Sequence, residues 1–316
     1  MFDCYHIALP WEVYEGSSTT MSYCKRIILA ILAMGAISLP YRLQAAPPVA
    51  LNAEGDSGDA LSISKIVQKM KDATPPLQDK YLEVKNATEY ATLRQSSEWR
   101  DLRRQTALLR SVNLKEIDAD SAKIAFWVNV YNVLVADGIV SLRVKGSVLK
   151  TQNFFANASY NVGGYIFSLE EIEHGILRGN RPPEPDRRPP FDSKDPRLSF
   201  AVAQPDSRIH FALNCGARSC PPVNIYTHSL IDEQLDSAAR NFINGPDVRV
   251  NEVNNQVSLS KIFEWYATDF GTSKKEVLQF IIQFIREPSK SRLSERLDRW
   301  KISYLPYDWA LVGKSK

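Results

Sequence analysis

Residues 124–136 read IAFWVNVYNVLVA, and this stretch decides the fold. Apolar side chains occupy nearly every side of it, and no charge falls between Lys123 and Asp137. A helix built from it has no face to give to water, so it is predicted to be buried. The helix runs from about Ala119 to Val140. Two amides interrupt it, Asn129 and Asn132, three residues apart on one face. A buried amide without partners costs about 1–3 kcal/mol, so each asparagine needs a specific hydrogen-bond partner. Two arrangements satisfy this: the backbone of a neighbouring loop, or a polar cavity in which the amides bind a ligand, donate to an oxyanion or position a catalytic group. Trp127 joins them as a candidate binding residue.

Working outward to the N-terminal side, Trp99, Leu102, Thr106 and Leu109 line one face of a second helix. Its other face, Arg103, Arg104 and Arg110, reads as solvated surface. Ile63, Ile66, Val67 and Met70 follow the i, i+3, i+4, i+7 pattern of an amphipathic helix. Residues 46–60 read as a flexible leader. Before them, 25–45 reads as a secretory signal: Lys25 and Arg26, then the 13 residues Ile27–Leu39 without charge, then Pro40 and small residues at Ala45-Ala46. That run is too short for a bilayer core, which needs about 20 residues. Export to a periplasm or the exterior is therefore expected, with no stable membrane insertion after cleavage; an uncleaved membrane anchor is the alternative. Met21 is well placed to be the start, with 1–20 an upstream extension.

On the C-terminal side, Tyr160-Asn161-Val162 and Tyr165-Ile166-Phe167 flank Gly163-Gly164 and predict a hairpin. Ser168 and Glu171 predict a capping box for the short helix LEEIEHGILR. Residues 179–196 hold six prolines and read as a stiff connector. Leu198–Ala203 and Arg208–Leu213 alternate as strands. Leu230–Asn244 is predicted helical, Val248–Val253 with Gln256–Leu259 a hairpin, and Ile262–Phe270 helical. Ser273 and Glu276 cap a helix over EVLQFIIQFIRE, and Arg292–Trp300 reads as a charged helix.

With 316 residues, 44% hydrophobic and 24% charged, the chain excludes wholesale disorder, collagen-like repeats and a polytopic membrane protein. A net charge of +3 gives no basic footprint, so no nucleic-acid partner is expected. The fold class is α+β: antiparallel hairpins packed against a buried central helix, with helical N- and C-terminal segments. The organisation is an extension plus signal over 1–45, the leader 46–60, a helical segment 61–118, a core domain 119–250, and a C-terminal hairpin and helical segment 251–316.

The densest chemistry lies in RIHFALNCGARSCPP, residues 208–222. A strand ending at Asn214 would present the tip 215–220, and function concentrates on such loops. Cys215 and Cys220 are the cysteines left after signal removal, and three readings compete for them. The first is a disulfide, which needs the loop to fold back until the Cα atoms are about 4.4–6.8 Å apart. The second is a nucleophilic thiol at Cys215, which needs a base. His210 is the neighbour in sequence but would lie about 16 Å away on an extended path. His174 and His228 are alternatives, with Glu173 or Asp308 to orient the imidazole. The third is a metal site on His210, Cys215 and Cys220. That spacing departs from the tight pattern of zinc modules, so no metal is assigned, and no cofactor either.

Four ordered motifs, HFALNCGARSCPP (210–222), FWVNVYN (126–132), SLEEIEHGILR (168–178) and YLPYDW (304–309), resemble those of the domain-of-unknown-function 547 family. The resemblance covers roughly 110–310. That family includes exported bacterial proteins and plant proteins without a secretory signal, and the resemblance implies no activity. The candidates are thus Cys215, His210, His174 and Glu173 for catalysis, and Asn129, Asn132, Trp127, Arg218, Asn214 and Asp308 for binding. The two functional expectations are a thiol-dependent hydrolase or transferase acting on an amide or ester through Cys215, and a non-catalytic interaction module shaped by a Cys215–Cys220 disulfide. No partner is specified.

Overall fold

The computed structural model describes residues 50–53, residues 65, 66, 68, 69 and 72, and residues 87–311. The signal segment and most of the first amphipathic helix lie outside the described residues. The fold is α+β. In chain order its elements are α1 (Ala87–Arg94), α2 (Ser97–Leu108), α3 (Asp120–Ser141), α4 (Phe154–Asn157), β1 (Ser159–Val162), β2 (Tyr165–Ser168), a π-helix Glu171–Leu177, α5 (Ile231–Ile243), β3 (Val248–Asn251), β4 (Gln256–Leu259), α6 (Ile262–Trp265), α7 (Ala267–Phe270), α8 (Lys274–Phe284), α9 (Ser289–Glu295) and β5 (Lys301–Tyr304).

Helix α3 is the centre of the larger core, with every residue from Ile124 to Val140 buried. Its 22 residues are long and apolar enough to cross a membrane, but 94% of its apolar 18-residue window is buried within the protein itself. No side chain caps its N-terminus. Instead the Asp120 carboxylate accepts from the backbone N–H groups of Ala203 and Gln204, tying that loop to the start of the helix.

The hairpin β1–β2 pairs antiparallel through the Gly163-Gly164 turn, as the sequence predicts. Its Tyr160 hydroxyl donates to Leu134 O at 3.0 Å and to the buried Asp137 carboxylate at 2.9 Å, docking the hairpin on α3. Burial pushes the Asp137 carboxyl up, against the opposing pull of Arg103 and Tyr160. This corrects the reading of Arg103 as solvated: it pairs with Asp137 at 3.1 Å and donates to Leu51 O. A buried carboxylate needs such a counter-charge. Residues 50–53, within the expected leader, are likewise pinned. Leu51 N donates to Ser159 O at 2.7 Å, and the buried Asn52 side chain bonds Thr106 O, Asn161 O and Asn161 N.

The smaller core lies among α5, α8 and the sheet β3–β4–β5. Ser273 and Glu276 form the predicted capping box of α8. Val277, Leu278, Ile281 and Phe284 on that helix are buried. The expected charged helix 292–300 is corrected: α9 stops at Glu295, and the chain turns through Leu297–Arg299 into β5, which pairs parallel with β4. Trp300 is buried, and a continued helix could not lay Ile302 beside Val257.

The two strands expected at 198–203 and 208–213 are also corrected. Both stretches are 3₁₀ turns, Pro196–Phe200 and Ser207–Phe211. Asp195 and Asp206 each accept the backbone N–H two residues on, and so start the turn locally. The alternating pattern is genuine, but a strand needs a neighbouring edge, and among the described residues no strand pairs with these stretches.

Candidate functional site

The site begins with that turn. A 3₁₀ path over Ser207–Phe211 rises about 2 Å per residue, so His210 is drawn inward rather than carried away along a strand. The chain after it is gripped by α3. Asn132 Nδ2 donates to Ala212 O at 3.0 Å, and its Oδ1 accepts from Asn214 N at 2.8 Å. Asn214 in turn donates to Pro221 O at 2.7 Å and accepts from Gly216 N at 2.8 Å, closing the loop 214–221 on itself. Gly216 takes φ +84°, and a Cβ there would sit 2.6 Å from Ile139 Cδ1, so the loop lies directly on α3. Within it the Cys215 and Cys220 sulfurs are bonded, with Cα atoms 6.2 Å apart.

Asn129 makes the equivalent clamp to another segment. It donates to Ala125 O and Tyr226 O and accepts from Tyr226 N at 3.0 Å. Both asparagines are thus satisfied by backbone. This corrects the alternative in which their amides served an oxyanion.

The second contribution comes from the π-helix. Ser168 and Glu171 form the predicted capping box at its entrance. The wider turn, with Arg178 N bonded to Glu173 O, is a geometry frequent at functional sites. Glu173 and His174 are both buried, which excludes a solvated pair. The Glu173 carboxylate accepts from the Tyr131 hydroxyl at 3.1 Å and from Tyr266. Burial pushes its pKa up, but His174, the Tyr266 hydroxyl, His210 and Arg178 together outweigh that and hold the carboxyl below its ordinary value. Burial pushes the Tyr131 and Tyr266 phenols well up, so both remain neutral donors.

The third contribution is Asp269, on α7. It accepts from His210 Nε2 at 2.8 Å, from Arg178 Nε at 2.6 Å and Arg178 Nη2 at 3.0 Å, and from Arg181 at 2.9 Å. Burial alone would raise this carboxyl, yet the His210 and Arg178 hydrogen bonds hold it far below the carboxylate range. Asp269 is therefore an anion, and His210 Nε2 must carry the proton it donates. The ring of His210 stacks on Tyr266, with centroids 3.8 Å apart.

These groups open onto one cavity of about 530 Å³. Cys215, Cys220, His210, His174, Glu173 and Tyr131 line it, so the four residues proposed for catalysis converge. The other wall is aromatic: Trp265, Tyr307 and Trp309 contact one another with centroids 4.8–5.4 Å apart. The Tyr307 hydroxyl lies 3.4 Å from Cys215 Sγ and 3.2 Å from Cys220 Sγ. Burial pushes the Tyr307 phenol up as well, so it stays protonated.

The binding candidates do not converge in the same way. Trp127 is buried between Phe126 and Phe167, away from the cavity. Asn129, Asn132 and Asn214 do not line it; each is committed to backbone. Arg218 and Asp308 form an exposed pair at 3.6 Å outside it. His228 is exposed and does not line it. Neither Glu173 nor Asp308 orients an imidazole. Asp269 does so, and no spacing in the sequence links it to His210, 59 residues away. Among the described residues no three His, Cys, Asp or Glu side chains cluster as a metal site.

A buried central helix, a clamped two-cysteine loop and a π-helix bearing Glu-His define an α+β domain in which these groups converge on one cavity. The model of the family described as Protein of unknown function, DUF547, matches residues 114–243 of the chain. The match takes in Glu173, His174, His210, Cys215 and Cys220, whereas Tyr266, Asp269 and Tyr307 lie beyond it. No curated protein and no solved structure matches the chain.

Proposed function

We propose that this is an exported protein whose cavity hydrolyses or transfers the acyl group of an amide or ester, with reduced Cys215 as nucleophile and His210 as base. The observation that carries the reading is the convergence of Cys215 and a His210 held by Asp269 on one cavity. An imidazole whose one nitrogen donates to a carboxylate keeps its other nitrogen as the proton acceptor. The oxidised pair is the resting form. A dithiol reductant breaks the Cys215–Cys220 bond and is itself oxidised to a disulfide. His210 Nδ1 then accepts the Cys215 proton, and the sulfur attacks the acyl carbon. The C–N or C–O bond breaks as that proton passes to the leaving amine or alcohol. Water or an acceptor amine finally cleaves the thioester. Export is supported by the charged and apolar pattern of 25–45 and by the cysteine pair, which suits an oxidising compartment. Nucleic acid and a stable membrane anchor have no part in this reading.

The test is a reductant-dependent burst. Reduced protein mixed with p-nitrophenyl acetate should release one equivalent of p-nitrophenol per Cys215. Oxidised protein and C215S should release none, and C220S should retain the burst without needing reductant. A burst that survives in C215S, or none in the reduced wild type, overturns the proposal. The bonded sulfurs favour a second reading, a binding module in which the disulfide shapes a recognition loop. It predicts that reduction weakens ligand binding and that no acyl-enzyme forms.

A further inference from the structure

The cavity contains two imidazoles whose hydrogen bonds leave opposite faces free. His174 Nδ1 lies 2.7 Å from Arg178 Nη1. A guanidinium only donates, so Nδ1 must accept, and the proton of the neutral ring is on Nε2. Arg178 is locked in that pose. It also donates to Pro182 O and to both oxygens of Asp269. His210 is the reverse case, with Nε2–H committed to Asp269 and the Nδ1 lone pair free. Neither His174 Nε2 nor His210 Nδ1 has a partner among the described residues, and neither is among the buried atoms sealed from solvent.

We infer that His174 is a neutral hydrogen-bond donor that receives the acyl oxygen of the ligand, so that the cavity selects an uncharged carbonyl compound. Several observations support it. Tyr131 and Tyr266 are already committed to Glu173, and Asn129 and Asn132 to backbone. The buried Glu173 carboxylate beside the ring disfavours an anionic ligand group. Burial, reinforced by Arg178 and His210 against the opposing pull of Glu173, lowers the His174 pKa to about 4, so the ring stays uncharged near neutrality. A preorganised donor at a developing oxyanion is a large contributor to acyl transfer. His174 would thus supply what the two helix asparagines do not. Arg178 is a positioning residue that acts only through the ring. The catalytic use of this donor rests on the acyl-transfer reading; the donor assignment rests only on the Arg178–His174 contact.

The experiment uses the full exported chain labelled with ¹⁵N-histidine. Long-range ¹H–¹⁵N spectra at pH 7 should place the His174 proton on Nε2. Titration with N-methylacetamide should shift that signal saturably and leave exposed His228 unmoved. A proton on Nδ1, a doubly protonated ring, or no shift of His174 overturns the inference. Kinetics give a separate arm. With reduced protein and p-nitrophenyl acetate, H174Q, which keeps a donor, should stay within roughly tenfold of wild type, whereas H174L should lose about 10²-fold or more in kcat. Alkylation of Cys215 by iodoacetamide should be unchanged in both. An H174L variant with wild-type turnover overturns the inference while leaving Cys215 catalysis intact. Absence of any burst overturns acyl transfer and leaves the spectra to decide the donor.

Discussion

His210 Nε2 and Asp269 Oδ2 are 2.8 Å apart, and both side chains are almost fully buried. The contact joins the turn before the cysteine loop to α7, and Asp269 also neutralises the buried Arg178. One carboxylate therefore fixes the tautomer of one imidazole directly and of the other through the guanidinium.

Replacing that carboxylate should uncouple the site. In D269N the Arg178 charge is left buried without its counter-ion, which costs about 3–5 kcal/mol. Guanidinium unfolding should show this loss, and histidine ring spectra should show His210 no longer held as the Nε2–H tautomer. A D269N variant as stable as wild type would mean the pair is not the anchor described.

Stability should fall on mild acidification. The His174 value is depressed in the folded state, from 6.5 to about 4. Between those values the unfolded chain binds more protons, so stability declines as pH drops from 6.5 towards 4. The full effect is at most about 3 kcal/mol. Asp269 is depressed too, and its contribution, complete above the ordinary carboxylate range, is lost as pH falls further. Urea midpoints measured from pH 7.5 to 4 should decrease, and H174Q should flatten the upper part of that curve. A midpoint that rises towards pH 4 contradicts the assignment.

The two helix asparagines should separate by consequence. N132A leaves Ala212 O and Asn214 N unpaired, and N129A does the same to Tyr226. Each should cost about 2–3 kcal/mol. Only N132A should also speed reduction of Cys215–Cys220 by dithiothreitol, because only Asn132 holds the base of that loop. Equal reduction rates in the two variants would refute this division.

The seat of the loop on α3 can be tested at Gly216. In G216A the new methyl meets Ile139 Cδ1 at a backbone angle that disfavours a side chain. A loss of about 1–3 kcal/mol is expected. I139V removes the clashing carbon, so the double variant should recover part of it. A strictly additive pair in thermal unfolding would show that the contact is absent.

Much of the architecture was legible in the chain alone. The charge-free run 124–136 announced the buried helix, and Gly163-Gly164, Ser168-Glu171 and Ser273-Glu276 announced a hairpin and two helix starts, because each is a local rule acting over a few residues. The need for partners at Asn129 and Asn132 was equally readable, since burying an amide always demands them. Which partners they found, Tyr226 and the 212–214 backbone, depended on packing. The same holds for the turns at 196–200 and 207–211, where alternation suggests strands but no strand among the described residues pairs with them. The pairing of His210 with Asp269, the parallel addition of β5 and the tautomers of both histidines arise from residues far apart in sequence. Only the tertiary structure decides them, because hydrogen bonds and ion pairs are set by distance in space, and distant separations along the chain carry no local signal.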